Sequence, residues 1–233
     1  MRTAVKCVIT RARTTRHAQE ALKTKWIWNE KTLDQWDSDI ADLQRMQEQC
    51  SSAKFTKNSA RAALDAGLEE MHRRTMQFLA MAKFHFRNEP PIFEAISRLG
   101  SGGRGRRAIA QEAMDLESAW QKAGPDWAPT EANTFASFQA LRKQCMDLDA
   151  AWIAANSTWH TRSEILKQVT AAVNEANTGW FAAATRVFAS GTAEGDMIRR
   201  SIPVLSSTPL RAEDPALAAP LVPAPPQQPV AVQ

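Results

Sequence analysis

"LDQWDSDIADLQRMQEQC", residues 33–50, decides the fold. Its apolar residues fall at Leu33, Trp36, Ile40, Leu43, Met46 and Cys50, in steps of three and four. That spacing lays one stripe along an α-helix, whereas a half-buried strand needs strict alternation. Outward from it the stripe continues through Ala53, Ala60, Leu64, Leu68, Met71, Phe78 and Ala82. A second series begins at Phe135 and runs through Phe138, Leu141, Cys145, Leu148, Trp152, Ala155 and Trp159, then Leu166, Val169, Val173, Trp180, Ala184 and Val187. No strand pattern competes with either, so an all-α fold is expected.

The two series superimpose without a gap at a separation of 102. Leu33 then meets Phe135, Trp36 meets Phe138, Leu64 meets Leu166, Phe78 meets Trp180 and Ile96 meets Ile198. Upstream, "AQEAL" at 18–22 matches "AQEAM" at 110–114, with an insertion around "GPDWAP" in the second copy absorbing the difference in spacing. A tandem duplication follows. The expected organisation is a basic N-terminal extension over 1–10, one helical repeat over 11–100, a Gly/Arg linker over 101–107 and a second helical repeat over 108–203. A disordered Pro/Ala-rich tail over 204–233 completes it.

Each repeat is expected to hold a shorter helix, a long amphipathic helix that bends or runs straight, and a short closing helix, the long helices pairing as coiled-coil-like antiparallel bundles within the chain or between chains. Pro90 and Pro91 stop the first long helix, because proline cannot continue one. The stretch "CSSAKFTKNSA", residues 50–60, contains poor helix formers but neither Gly nor Pro. It reads either as a bend within one helix of about 50 residues or as a hairpin, and the unbroken phase of the second stripe favours the long helix. Eight of the twelve prolines lie from Pro203 onward, so the tail reads as extended and coreless, with a PxxP match from Pro220 to Pro223.

"LGSGGRGRRAIAQEA", residues 99–113, spaces Gly100, Gly102 and Gly105 as G-x-G-x-x-G. A dinucleotide fingerprint needs a strand before that turn and a helix after it. Here the glycines follow the helical "IFEAISRL" and fall between the copies, so a linker is the better reading. Arg104, Arg106 and Arg107 make it a candidate anion contact, together with Arg11, Arg13 and Arg16 of the basic N-terminus.

Other chemistry finds little footing. Glu69 and His72 form Glu-x-x-His, the spacing used by di-metal bundles, yet the equivalent positions in the second copy are Ala171 and Asn174, so no metal site is expected. His17, His85 and His160 are single and scattered, and no nucleophile elbow or oxyanion loop appears. Cys7, Cys50 and Cys145 have no C-x-x-C spacing, which argues against a disulfide framework or zinc site and for a reducing, cytoplasmic setting. The Asn156-Ser157-Thr158 sequon falls in helical sequence without a secretion signal and is discounted. The Arg-rich start resembles a transit peptide in composition, but residues 18–22 belong to the repeat. No run of 18 apolar residues exists, so membrane insertion is not expected.

Eight tryptophans accompany no tyrosine. Trp36, Trp152, Trp159 and Trp180 lie on the stripes and read as packing residues, whereas Trp26, Trp28 and Trp127 near helix junctions are candidate contact residues. With no catalytic residue or cofactor indicated, the expected function is a non-enzymatic structural or adaptor protein whose long helices meet a protein partner or a second copy. An anion- or nucleic-acid-binding module using the basic N-terminus and the Arg104–Arg107 joint is the alternative. A metal-dependent enzyme built on Glu69 and His72 is the weakest rival.

Overall fold

Thr32 and Thr134 start the two elements around which the molecule is organised. The Thr32 hydroxyl accepts from the Gln35 N–H at 3.2 Å while Gln35 Oε1 accepts from the Thr32 N–H at 2.8 Å. Thr134 and Ser137 make the same reciprocal pair at 3.1 and 3.0 Å. Such boxes satisfy two of the N–H groups a helix start leaves unpaired. Replacing Thr32 by Ala should cost ~1 kcal/mol. Urea denaturation of Thr32→Ala checks this, and an unchanged midpoint would mean that packing alone sets the helix start.

The computed structural model describes residues 2–99 and 105–201, with side chains from residue 5 and up to residue 200. The tail over 204–233, with its PxxP match, lies outside them, as do Gly100, Gly102 and Arg104. Six α-helices follow in order: α1 (Arg2–Leu22), α2 (Leu33–His85), α3 (Pro90–Ser97), α4 (Arg106–Ala123), α5 (Phe135–Val187) and α6 (Ala193–Ser201). The fold is all-α, and its two long helices, α2 and α5, pack together.

Both long helices have 53 residues, roughly 80 Å at 1.5 Å per residue. Residues 50–60 are a continuous part of α2 and 152–162 of α5. The hydroxyls there turn back on their own helix: Thr56 donates to the Ser52 carbonyl at 3.2 Å and Thr158 to that of Ala154 at 3.0 Å. In that way poor helix formers are accommodated without a break. Both helices end on a backbone bond of the same kind, Phe86 to Ala82 and Phe188 to Ala184, each 2.9 Å. Pro90 and Pro91 then occupy the first turn of α3, where a missing N–H costs nothing. Gly191, at φ 89°, makes the turn before α6 in a backbone region that other residues avoid.

Contacts along the long helices fix their direction. Arg162 donates to Gln49 at 2.7 Å, and Arg74 donates to Ser137 at 3.2 Å. Rising residue numbers on α2 thus meet falling numbers on α5, so the pair is antiparallel. Gly67 permits close approach: a Cβ there would lie 3.1 Å from Leu148 Cδ1 and 3.3 Å from Cys145 Sγ.

Two hydrophobic cores result, one at each end. The first joins α1, the start of α2, the end of α5 and α6, through Val8, Ala12, Leu22, Trp36, Leu43, Leu166, Trp180 and Ile198. The second joins the end of α2 to α3, α4 and the start of α5, through Leu64, Phe78, Ile96, Leu116, Trp120 and Phe138. Neither core is built by one half of the chain. Val5, Val8 and Ile9, within the stretch assigned above to an N-terminal extension, lie in α1 and are buried in the first core.

Burial corrects one part of the sequence alignment. In "AQEAL" the buried residues are Ala18, Gln19 and Leu22, whereas in "AQEAM" they are Glu112 and Ala113, with Ala110 and Gln111 exposed. The two similar words therefore sit on their helices in different registers. Burial matches instead at a separation of 101, which sets Val8 with Ile109, Arg11 with Glu112, Ala12 with Ala113, Ala18 with Ala119 and Gln19 with Trp120. One extra residue before α5, rather than a long insertion, accounts for the step to 102.

Candidate interaction surface

Among the described residues, the arginines marked out by the sequence are held at separate places: Arg11 and Arg16 on α1 against α5 and α2, Arg106 at the start of α4. Arg11 is 7% exposed and donates from Nη1 to Asn174 Oδ1 at 3.1 Å and Thr178 Oγ1 at 3.4 Å. Burial pulls its guanidinium below the ordinary arginine value, and its hydrogen bonds tie α1 to α5. Arg16 is held by Asp37 at 3.1 Å and by Glu20, so both charges serve the first bundle. Arg13 is exposed on the same helix.

At the joint, Arg106 pairs with Asp149 at 2.9 Å and places its guanidinium 4.7 Å from the centre of the Trp152 ring. Arg107 beside it is exposed. Gly105 sits at the N-cap of α4 with no strand before it among the described residues, the setting of a helix start rather than a dinucleotide turn.

The junction tryptophans are engaged in packing. Trp28 is 8% exposed and stacks on Trp36 at 6.1 Å. Trp26 meets Trp180 at 6.0 Å and Phe188 at 6.2 Å. Trp127 lies against Phe78, Phe86 and His85, with ring centres 5.1 to 5.4 Å away. Trp26 and Trp127 nonetheless keep part of their surface in solvent.

Glu69 and His72 face a cleft of about 660 Å³ that is also bordered by Arg61, Asp65, Arg73 and Arg106. His72 Nδ1 is 4.0 Å from Glu112 Oε2, and Glu112 is 6% exposed. Sequence reasoning passed over Glu112, although it lies three residues after Ile109 and four before Leu116, on the buried face of α4. Among the described residues no group of three or more His, Cys, Asp or Glu side chains could hold a metal ion. The His72–Glu112 pair instead occupies the place in the second core that Asn174 and Arg11 occupy in the first. Ionisable or amide groups thus join the short helix to the long one at both ends.

Cys145 is buried, which pushes its thiol up and disfavours the thiolate a nucleophile needs. Cys50 is half-buried and Cys7 exposed. No described helix is long and apolar enough to cross a membrane.

Between the two cores lies a waist. Leu43 and Leu64 are consecutive buried residues of α2, and at 1.5 Å per residue they are roughly 30 Å apart along the axis. On α5 the corresponding stretch runs from Cys145 to Ser163. Over the waist α2 and α5 cover one another only partly, and Trp152 and Trp159 are half-buried on the seam. Phe55 stands 76% and Ile153 51% exposed. Comparison with family models, with curated proteins and with solved structures finds no match.

Proposed function

We propose that the chain is a non-enzymatic structural or adaptor protein, two tandem helical repeats whose coiled-coil-like long helices form a rod, with the Pro-rich tail as a tether. One observation supports this most: α2 and α5, each of 53 residues, run antiparallel and carry a core only at either end. Such a shape holds two surfaces at a fixed separation, which is a spacer's task and contributes nothing to enclosing a substrate. Exposed apolar residues at Phe55, Phe84 and Ile153 offer contact points for a protein partner or a second copy.

The test is affinity purification from the source cells of the unaltered chain beside Phe84→Glu, a change on an exposed position that should leave folding intact. A protein, or a second copy, recovered at fixed stoichiometry with the unaltered chain and reduced at least fivefold with the variant supports the adaptor reading. A bare chain of 25.8 kDa in native mass spectrometry of both preparations would overturn it.

A further inference from the structure

The waist holds cations and no acid of its own. Residues 49–61 and 151–163 contain Lys54, Lys57, Arg61 and Arg162 but not one Asp or Glu. Their four positive charges equal the formal net charge of the chain, +4, so the remainder balances to zero. The acids resume just outside, at Glu48, Asp65, Asp149 and Glu164.

We infer that this waist binds the phosphodiester backbone of a nucleic acid. Lys54, Lys57 and Arg61 follow one another at steps of three and four, so they share a face of α2. Lys57 Nζ lies 3.7 Å from the centre of the Trp159 ring, and Arg61 lies 5.6 Å from that of Trp152, which also bears Arg106. The rings support the cations and hold them at the surface. Arg61 and Arg106 each have a carboxylate partner, in Asp65 and Asp149, whereas Lys54, Lys57 and Arg162 have none among the described residues. On the opposite side Arg162 borders a groove of about 350 Å³ with Gln49, Ser52, Thr56 and Thr158.

Cations with hydroxyls and amides are the groups that contact phosphate oxygens, and Lys54, Lys57 and Arg162 bring theirs without a carboxylate partner among the described residues. An acidic partner helix fits less well, because it would seek an apolar stripe to complete a third-helix position, and the two rings on the seam, Trp152 and Trp159, are already covered by Arg61, Arg106 and Lys57. The contact falls at the waist rather than at Arg11 or Arg16, whose charges are already used in the first bundle. The inference goes beyond the adaptor reading and does not rest on it.

Fluorescence anisotropy with the full chain and a labelled 20-nucleotide DNA, single-stranded and then duplex, over a salt series tests it. Three phosphate contacts, by Lys54, Lys57 and Arg61, imply that the logarithm of affinity falls with the logarithm of salt with a slope of about −2 to −3. Lys54→Gln/Lys57→Gln/Arg61→Gln should weaken binding at least tenfold and flatten the slope by about 2. Because Lys57 and Arg61 touch the seam, Lys54→Glu/Arg162→Glu provides a second variant outside the ring contacts and should weaken binding at least fivefold. Arg13→Gln should change affinity less than twofold. Absence of binding by either DNA at 50 mM salt, affinity unchanged in both multiple variants, or equal competition by polyglutamate would overturn the inference.

Discussion

Trp120→Ala is expected to unfold one end of the molecule and leave the other standing. Trp120 is wholly buried, with ring centres 4.4 Å from Phe78 and 5.8 Å from both Phe135 and Phe138, and its Nε1 donates to the Trp127 carbonyl at 2.9 Å. Truncating a buried aromatic of that size costs about 3–5 kcal/mol, a large share of the roughly 5–15 kcal/mol that holds an ordinary domain together. The loss should stay local, because no residue of α2 between Leu43 and Leu64 is buried and so no continuous core carries it across the waist. Hydrogen exchange should quicken by two to three powers of ten in α3, α4 and residues 64–82 of α2 while protection in α1 persists. Equal loss of protection at both ends would show one cooperative unit and refute the separation of the cores.

The helices were legible because their stripes have one period and strong endpoints. Leu33 to Ala82 and Phe135 to Val187 read correctly from spacing alone, and the structure runs both helices unbroken through residues 50–60 and 152–162, where local composition left a hairpin open. What spacing could not convey was which half of the chain meets which. Contacts between distant segments leave no periodic signature, so the division of each core between the two halves appears only in three dimensions.

The register of the short helices was hidden for a related reason. Their buried positions carry unlike residues at the two ends: Arg11 and Glu112, Thr15 and Leu116, Gln19 and Trp120. Arg11, Glu112, Gln19 and Trp120 are each matched on a long helix rather than on their counterparts. Gln19 Oε1 accepts from Trp36 Nε1 at 2.8 Å, while Trp120 packs on Phe138. The indole thus belongs to the long helix at one end and to the short helix at the other. Similar space is filled by exchanged partners, which conceals the correspondence from a comparison of letters. For the candidate site the sequence named Arg106 and Arg107, but the acid-free character of two segments 102 residues apart gains meaning only when α2 and α5 bring them side by side.

Thr158→Pro should convert the rod into a bent molecule. The substitution removes a backbone N–H in the middle of α5 and drives the ring against the Ala154 carbonyl, which also accepts the Thr158 hydroxyl. Within a helix this costs about 3 kcal/mol or more and commonly produces a kink above roughly 20°. Toward its ends α5 packs on further helices that would resist the bend, whereas around Thr158 the described neighbours are Gln49, Ser52, Ala53 and Thr56 of α2, so the two cores should swing relative to one another while each keeps its packing. Small-angle X-ray scattering should then give a shorter maximum dimension than the unaltered chain, whose long helices alone span roughly 80 Å. Thr158→Ala, which keeps the N–H and has higher helix propensity, should preserve the extended form. If Thr158→Pro scatters as the unaltered chain does, the waist is held straight by more than helix continuity. If it bends and the protein partner is still retained at full stoichiometry, fixed spacing between the ends is not what the partner requires, and the spacer part of the proposed function fails independently of the fold.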